Sequence, residues 1–268
     1  TIPLARGKSR SDTIQNVISK IKKLKKDGIK EIVLTGINLG DFKTNDNDTF
    51  LDLLIEIDKI KNIRVRISSI EPNLINEKII DLVSQSRTLL PHFHIPLQSG
   101  SDEILKAMKR RYLTTHYKDV VKLINNRIPH ACIGVDVIVG FPGETDEHFK
   151  QTLSFLKELN ISYLHVFSYS KRKDTFAASL NDQVTKERKE YRSKALHHLS
   201  NKKKKQFYNQ YINKIRPVLV EQSINGKIQG FTDNYIKVNV DQELSCYNKI
   251  IPVLLNENKG NYMQGEII

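Results

Sequence analysis

Asp136-Val137-Ile138-Val139-Gly140-Phe141-Pro142-Gly143-Glu144-Thr145 passes from a strand-like run through a tight turn to a helix start. Its first half is apolar and β-branched, as suits a buried strand. It breaks at a Gly-Phe-Pro-Gly turn. A helix start follows at once: Thr145 is placed to cap it, and Asp146 and Glu147 set negative charge at the positive end of the helix dipole. A strand that runs directly into a helix belongs to a parallel α/β sheet, since parallel strands need a crossover connection. In such sheets ligands bind beyond the carboxyl ends of the strands.

The same unit recurs on both sides. Strand-like runs are read at Glu31–Thr35, Arg64–Ser69, His92–Leu97, Cys132–Gly140 and Tyr163–Tyr169. Helical runs lie around them at Ser11–Asp27, Thr49–Lys59, Asn76–Gln85, Ser101–Met108, His116–Asn125 and Glu147–Leu159. In the last of these, Phe149, Leu153 and Leu156 keep the helical period. The fold class expected is α/β, a partial parallel β/α barrel. The alternation stops near Thr175. Val184–Asn213 reads as one long charged helix. Then come short strand candidates, Pro217–Gln222, Lys227–Thr232, Tyr235–Val240, Lys249–Leu255 and Gln264–Ile268. Turn signals at Gly226, Asp233-Asn234, Asn256–Asn258 and Gly260-Asn261 separate them. A small antiparallel β-barrel is expected there. The organisation is therefore residues 1–182 as the β/α barrel, 183–213 as a basic helical linker and 214–268 as the small barrel.

Charge narrows the partners. Lys and Arg number 43 against 30 Asp and Glu, a net charge of +13, which favours a polyanion and nucleic acid first. The excess is concentrated: 186–216 holds eleven Lys or Arg against Glu187 and Glu190, and Lys202, Lys203, Lys204 and Lys205 are consecutive. No apolar run approaches the ~20 residues of a membrane span, so no membrane partner is expected. Thr1–Lys30 has no apolar core of a secretory leader. The two cysteines, Cys132 and Cys246, lie far apart, which fits a reduced, cytoplasmic setting.

Polar residues gather where strands are expected to end: Asn38, Ser68, Glu71, Gln98, Ser99, Asp136, Ser168 and Ser170. Each has an ordinary use alone, Asn38 in a turn or Asp136 hydrogen-bonded inside a barrel. Five strand ends carrying polar groups together read as hydrogen-bond partners for a polar small molecule. Arg110 and Arg111 follow the fourth helical run, where a guanidinium could clamp a carboxylate or phosphate. His92 and His94, two apart, share one face of a strand; that spacing can serve a metal, but no third ligand is apparent. Lys171-Arg172-Lys173, after the last strand, is a candidate phosphate-facing loop. No Ser-His-Asp or Cys-His arrangement is read.

Taken together, the strings Ile2–Ser11, Leu34–Asn38, Arg66–Glu71, His94–Ser101, Val139–Thr145 and His165–Arg172 resemble the radical S-adenosylmethionine methylthiotransferases that modify tRNA. The threonylcarbamoyladenosine-tRNA branch is the nearest in flavour. Phe231-Thr232-Asp233-Asn234-Tyr235-Ile236-Lys237-Val238 resembles the core of that family's TRAM domain, a small RNA-binding barrel. The resemblance implies S-adenosylmethionine and two 4Fe–4S clusters as cofactors. One cluster, held by three closely spaced cysteines, reduces S-adenosylmethionine to a deoxyadenosyl radical. The other takes part in sulfur insertion. It implies methylthiolation at C2 of N6-threonylcarbamoyladenosine in the tRNA anticodon arm. For the cofactor it points to Asn38 near the methionyl amino group and Arg110 near its carboxylate. Ser68, Glu71, Gln98, Ser99 and Asp136 line the pocket, while Ile138, Val139 and Gly140 support the adenine by apolar contact and backbone hydrogen bonds. For RNA it points to Lys171, Arg172, Lys202, Lys203, Lys204 and Lys205, with Phe231 and Tyr235 stacking on bases.

One departure matters. The family's three cysteines should stand just before Thr1, and this chain has none of them. The expectation is a fragment that does not turn over. The alternatives are an RNA-binding module without catalysis, a related methylthiotransferase acting on isopentenyladenosine or a ribosomal protein, and an ordinary barrel enzyme.

Overall fold

A computed structural model of the chain describes residues 10–173, 175–224, 227–241 and 246–268. Ile2–Ser9 and Gly226, both used in the sequence reading, lie outside the described residues.

The first half alternates strands and helices. In chain order it runs α1 (Ile14–Lys26), β1 (Glu31–Leu34), α2 (Phe50–Asp58), β2 (Arg64–Ile67), α3 (Glu77–Gln85), β3 (His92–His94), α4 (Asp102–Ala107), α5 (Thr114–Arg127), β4 (Cys132–Val139), α6 (Asp146–Glu158) and β5 (Tyr163–Ser168). Every pairing among these strands is parallel: β1 with β2, β3 with β4 and β4 with β5. Single parallel bridges, Val65 to Leu89 and Ser69 to His94, join β2 to the β3 side. The strands thus follow one another in chain order with helices between, the expected partial β/α barrel. The helices start as their sequences direct. Thr145 caps α6: its hydroxyl accepts from the His148 amide, and the His148 ring accepts from the Thr145 amide. Thr49 and Asp52 make the same reciprocal box on α2.

Strand alternation sorts side chains to two faces. Val65, Ile67, Phe93, Ile133, Val135, Val137 and Leu164 are buried and join the main core with Leu54, Ile57, Ile80, Tyr117, Ile124 and Leu156 from the helices. The other face is polar. Register places His92 beside Cys132, His94 beside Gly134, Gly134 beside Tyr163 and Asp136 beside His165. A Cβ on Gly134 would come 2.4 Å from the Tyr163 ring, so glycine makes room for that side chain.

After the short α7 (Phe176–Ser179), α8 (Lys186–Asn209) runs for 24 residues, about 36 Å. It covers the outer edge of β5. Ser200 Oγ accepts from the Leu164 amide at 2.9 Å and donates to its carbonyl at 3.0 Å, satisfying backbone groups an edge strand would leave open. The other anchor is the Gly-Phe-Pro-Gly-Glu-Thr turn. Arg192, 1% exposed, holds Glu144 at 2.6 Å and Asp146 at 2.7 Å.

Strands β6 (Lys214–Ile224), β7 (Lys227–Thr232), β8 (Lys237–Val240), β9 (Ile250–Asn258) and β10 (Met263–Ile267) close into a barrel in the order β10-β8-β7-β6-β9. Four seams are antiparallel and the β8–β10 seam is parallel. The expected small antiparallel barrel is present, with one parallel seam. Five strands in a closed ring cannot alternate direction all the way round, so one pair must run parallel. Val218, Val220, Ile236, Val238, Val253, Leu255 and Met263 fill its core.

Candidate functional site at the strand ends

The loops after β1 and β2 pack on each other. Asn38 precedes a 3-10 turn, Leu39–Asp41, and its Nδ2 donates to Asp41 Oδ2 at 2.6 Å. Gly40 in that turn lies so near Leu74 that a Cβ would stand 2.4 Å from it. The adjoining loop carries Glu71, which Arg110 Nη1 reaches at 3.0 Å; both side chains are 26% exposed. Two polar atoms here are buried without a partner, the acceptor Asn38 Oδ1 and the donor Arg110 Nε. An α-amino acid group offers an ammonium to such an acceptor and a carboxylate to such a donor. The residues present therefore fit the methionyl end of S-adenosylmethionine.

The β3–β4 side is built differently from expectation in part. Gln98 adopts φ 72°, and its backbone extends the pairing: its amide donates to Asp136 O at 2.8 Å and its carbonyl accepts from Ile138 N at 2.9 Å. Ile138, half-buried on the polar face, can offer apolar contact there. Two expected contributors are committed elsewhere. Ser99 is buried on the helix side, its hydroxyl 3.2 Å from that of Thr152 and accepting from the Ser101 amide. The Gly140 amide donates to Glu144 Oε2 at 3.0 Å and is not free for a base. Gly140 is at φ 75°, and a Cβ would run into Lys189, so its glycine serves the turn. Ser168, at the end of β5, and Ser170, just past it, are exposed.

Deeper on the polar face the structure assembles a group that the sequence left incomplete. His94 Nε2 lies 2.7 Å from Asp136 Oδ1, and His94 Nδ1 lies 2.8 Å from Ser69 Oγ. The His165 ring meets the His94 ring edge-on at 5.3 Å. Ser69, not the neighbouring Ser68, is the serine in this network. His165 was the missing third group: it sits on β5, opposite Asp136 in register, where spacing within β3 could not reveal it. Burial, and then His94, holds the His165 imidazole below its ordinary value.

At the other end of the strands the small barrel docks. Arg66 pairs with Glu31 at 2.9 Å and lies 4.7 Å from the Tyr235 ring centre. Tyr235, at φ 64°, stacks on Phe231 at 4.9 Å and meets His92 at 4.5 Å. Asn234 Nδ2 donates to His130 O, and Arg64 Nη2 to Pro217 O. Tyr235, expected to stack on bases, packs here on Arg66 and His92 where the two barrels meet, with Phe231 against its other side. Burial pushes the Tyr235 hydroxyl upward and drives His92 well below the usual imidazole range.

The lysine run is split by helical geometry. Lys202 and Lys205 are exposed and Lys204 half-buried. Lys203 is buried, and its Nζ donates to Lys157 O and Leu159 O at the carboxyl end of α6, so it is corrected from an RNA contact to a helix cap. Lys171 and Arg172 are exposed just past β5. Neither cysteine suits a cluster. Cys132 and Cys246 are both buried, Cys132 at the amino end of β4, where burial pushes its thiol up to about 12. Cluster ligation needs clustered thiolates, so the cysteines present do not fit it.

The Radical SAM superfamily model matches residues 2–156. The chain belongs to the radical SAM superfamily. It is similar to threonylcarbamoyladenosine tRNA methylthiotransferase MtaB of Bacillus subtilis, 38% identical over 275 residues, covering 100% of this chain and 61% of that protein. It is also similar to tRNA-2-methylthio-N(6)-dimethylallyladenosine synthase of Alkaliphilus oremlandii, 35% identical over 273 residues, covering 100% of this chain and 58% of that protein. The chain thus spans about three fifths of the length of these relatives. Among solved structures, coproporphyrinogen III oxidase (HemN) from Escherichia coli shares the fold, with a TM-score of 0.51 at 11% identity, covering 97% of this chain and 67% of that one.

Proposed function

We propose that this chain is the barrel and TRAM portion of a cytoplasmic tRNA methylthiotransferase that acts on C2 of N6-threonylcarbamoyladenosine in the anticodon arm. The observation that carries the reading is the likeness to the Bacillus subtilis enzyme, which extends over the whole chain and through both barrels. S-adenosylmethionine supplies the one-carbon and radical chemistry when bound. The chain's own part is to hold it. Asn38 Oδ1 would accept from the ammonium, Arg110, fixed by Glu71, would hold the carboxylate, and Ile138 would offer apolar contact to the adenine. Gln98 holds the β3–β4 junction so that Ile138 faces the site. No step is assigned to a cluster on this chain, whose cysteines do not fit one; the chain alone is inactive on this reading.

RNA binding is supported by surface charge. Lys194, His198, Lys202 and Lys205 are all exposed and lie along one stripe of α8. The helix runs from the strand-end turn, where Lys189 reaches Tyr169 O, toward the small barrel; Lys171 and Arg172 are exposed just past β5. Filter binding of this chain to tRNA across a salt series tests the partner. Affinity that falls steeply with salt is expected, because each neutralised phosphate releases counterions. No binding at low salt would reject tRNA as the partner.

A further inference from the structure

We propose that His94, Asp136 and His165 form a binding site for one divalent transition-metal ion of the zinc type, inside the β/α barrel and separate from the strand-end site. One ligand atom from each residue lies within 4.8 Å of the others. Two imidazoles and one carboxylate are the donor set that zinc and related ions take, and three protein ligands leave further positions open.

Three strands supply the ligands, so the backbone fixes their spacing. His94 ends β3, Asp136 lies mid-β4, and His165 faces Asp136 in register on β5. Gly134, between His94 and Tyr163 in register, makes room for the Tyr163 ring beside the cluster. Ligand atoms bound at about 2.0–2.2 Å stand roughly 3.3 Å apart. The cluster needs only a small closure to reach that, and the exposed His165 ring is the member free to turn.

The surroundings are those of a metal ligand. His94 Nδ1 at 2.8 Å from Ser69 Oγ lets that nitrogen keep its proton and donate, leaving Nε2 to bind a metal. Metal-bound histidines almost always have such a partner on the second nitrogen. Without metal, Asp136 accepts from His94, and an entering ion would replace that hydrogen bond with two coordination bonds.

The test is calorimetric titration of the purified 268-residue chain with Zn(II), alongside the optical spectrum of the Co(II)-loaded protein. The chain is expected to take one ion. His165→Ala and Asp136→Asn should each weaken binding by about tenfold or more, and Ser69→Ala by about tenfold. His197→Ala, on the exposed side of α8, should change nothing. Co(II) should show nitrogen–oxygen ligand bands without thiolate charge transfer. The first two variants remove an exposed ring or preserve shape, and circular dichroism melting confirms that they fold. The proposal is overturned by absence of Zn(II) binding, by binding that His165→Ala or Asp136→Asn leaves unchanged, or by a thiolate band placing the metal on cysteine.

Discussion

Arg192 and Glu144 show how much one pair can decide. Both are buried at the Gly-Phe-Pro-Gly-Glu-Thr turn, with side chains 1% and 4% exposed, and Glu144 also fixes the Gly140 amide. Burial raises the Glu144 carboxyl and the neighbouring guanidinium opposes that rise. Removing one partner leaves a buried charge unpaired. Arg192→Met is therefore expected to destabilise the fold by about 3–5 kcal/mol, and Arg192→Met with Glu144→Gln by less. Denaturant unfolding of the two variants checks this; equal losses would refute the pairing argument. His92 gives a pH dependence. Burial depresses its folded value far below the unfolded value of about 6.5. Below that pH the unfolded chain takes up a proton the folded chain refuses, so stability falls as pH drops. His130 and His165, lowered by burial too, add to the same trend. His92→Gln should flatten the loss between about pH 6.5 and 5.5, by up to about 1.4 kcal/mol per pH unit. Unfolding midpoints that fall equally in both proteins would contradict it.

Elements were more legible than the roles of their residues. The strands β1 to β5 and the helix α8 follow from β-branched runs, caps and periodicity, which are local signals. The β/α alternation then fixed a parallel sheet. Roles depended on which residues meet across strands, and that is not local. His165 joined His94 and Asp136 only through the β4–β5 register. Lys203 looked like its neighbours in the run, yet helical rotation turned it inward to two carbonyls. Tyr235 has the composition of a base-stacking residue, but its left-handed turn carries it onto Arg66 and His92. Asn38, Glu71 and Arg110 each lie a few residues past a strand or helix end, so their nearness to one end of the sheet was a local signal, and the structure joins Glu71 to Arg110. The exposed stripe on α8 makes a prediction at this scale. Lys202→Gln with Lys205→Gln should weaken binding to all tRNAs alike and reduce the log–log salt slope by roughly one to two. Lys203→Gln should instead lower stability, since its contacts are internal. An unchanged salt slope in the double variant would remove the stripe as an RNA contact.

The two ends of the parallel strands are built differently. One end of the parallel strands carries Asn38, Glu71, Arg110 and Ile138; the other is covered by the small barrel through Arg64, Arg66, Asn234 and Tyr235. Among the described residues, no helix is long and apolar enough to cross a membrane. The chain spans 61% of its Bacillus subtilis relative, and its only cysteines are buried singly. Anaerobic treatment with iron and sulfide should therefore leave this chain without a cluster; stoichiometric iron and sulfide on it would refute that.

Nucleoside mass spectrometry of tRNA from cells lacking the gene tests the proposed substrate. 2-Methylthio-N6-threonylcarbamoyladenosine is expected to disappear, unmodified N6-threonylcarbamoyladenosine to rise in its place, and the methylthiolated isopentenyladenosine to stay unchanged. Retention of the first nucleoside at its normal level, or loss of the isopentenyl one instead, would contradict it.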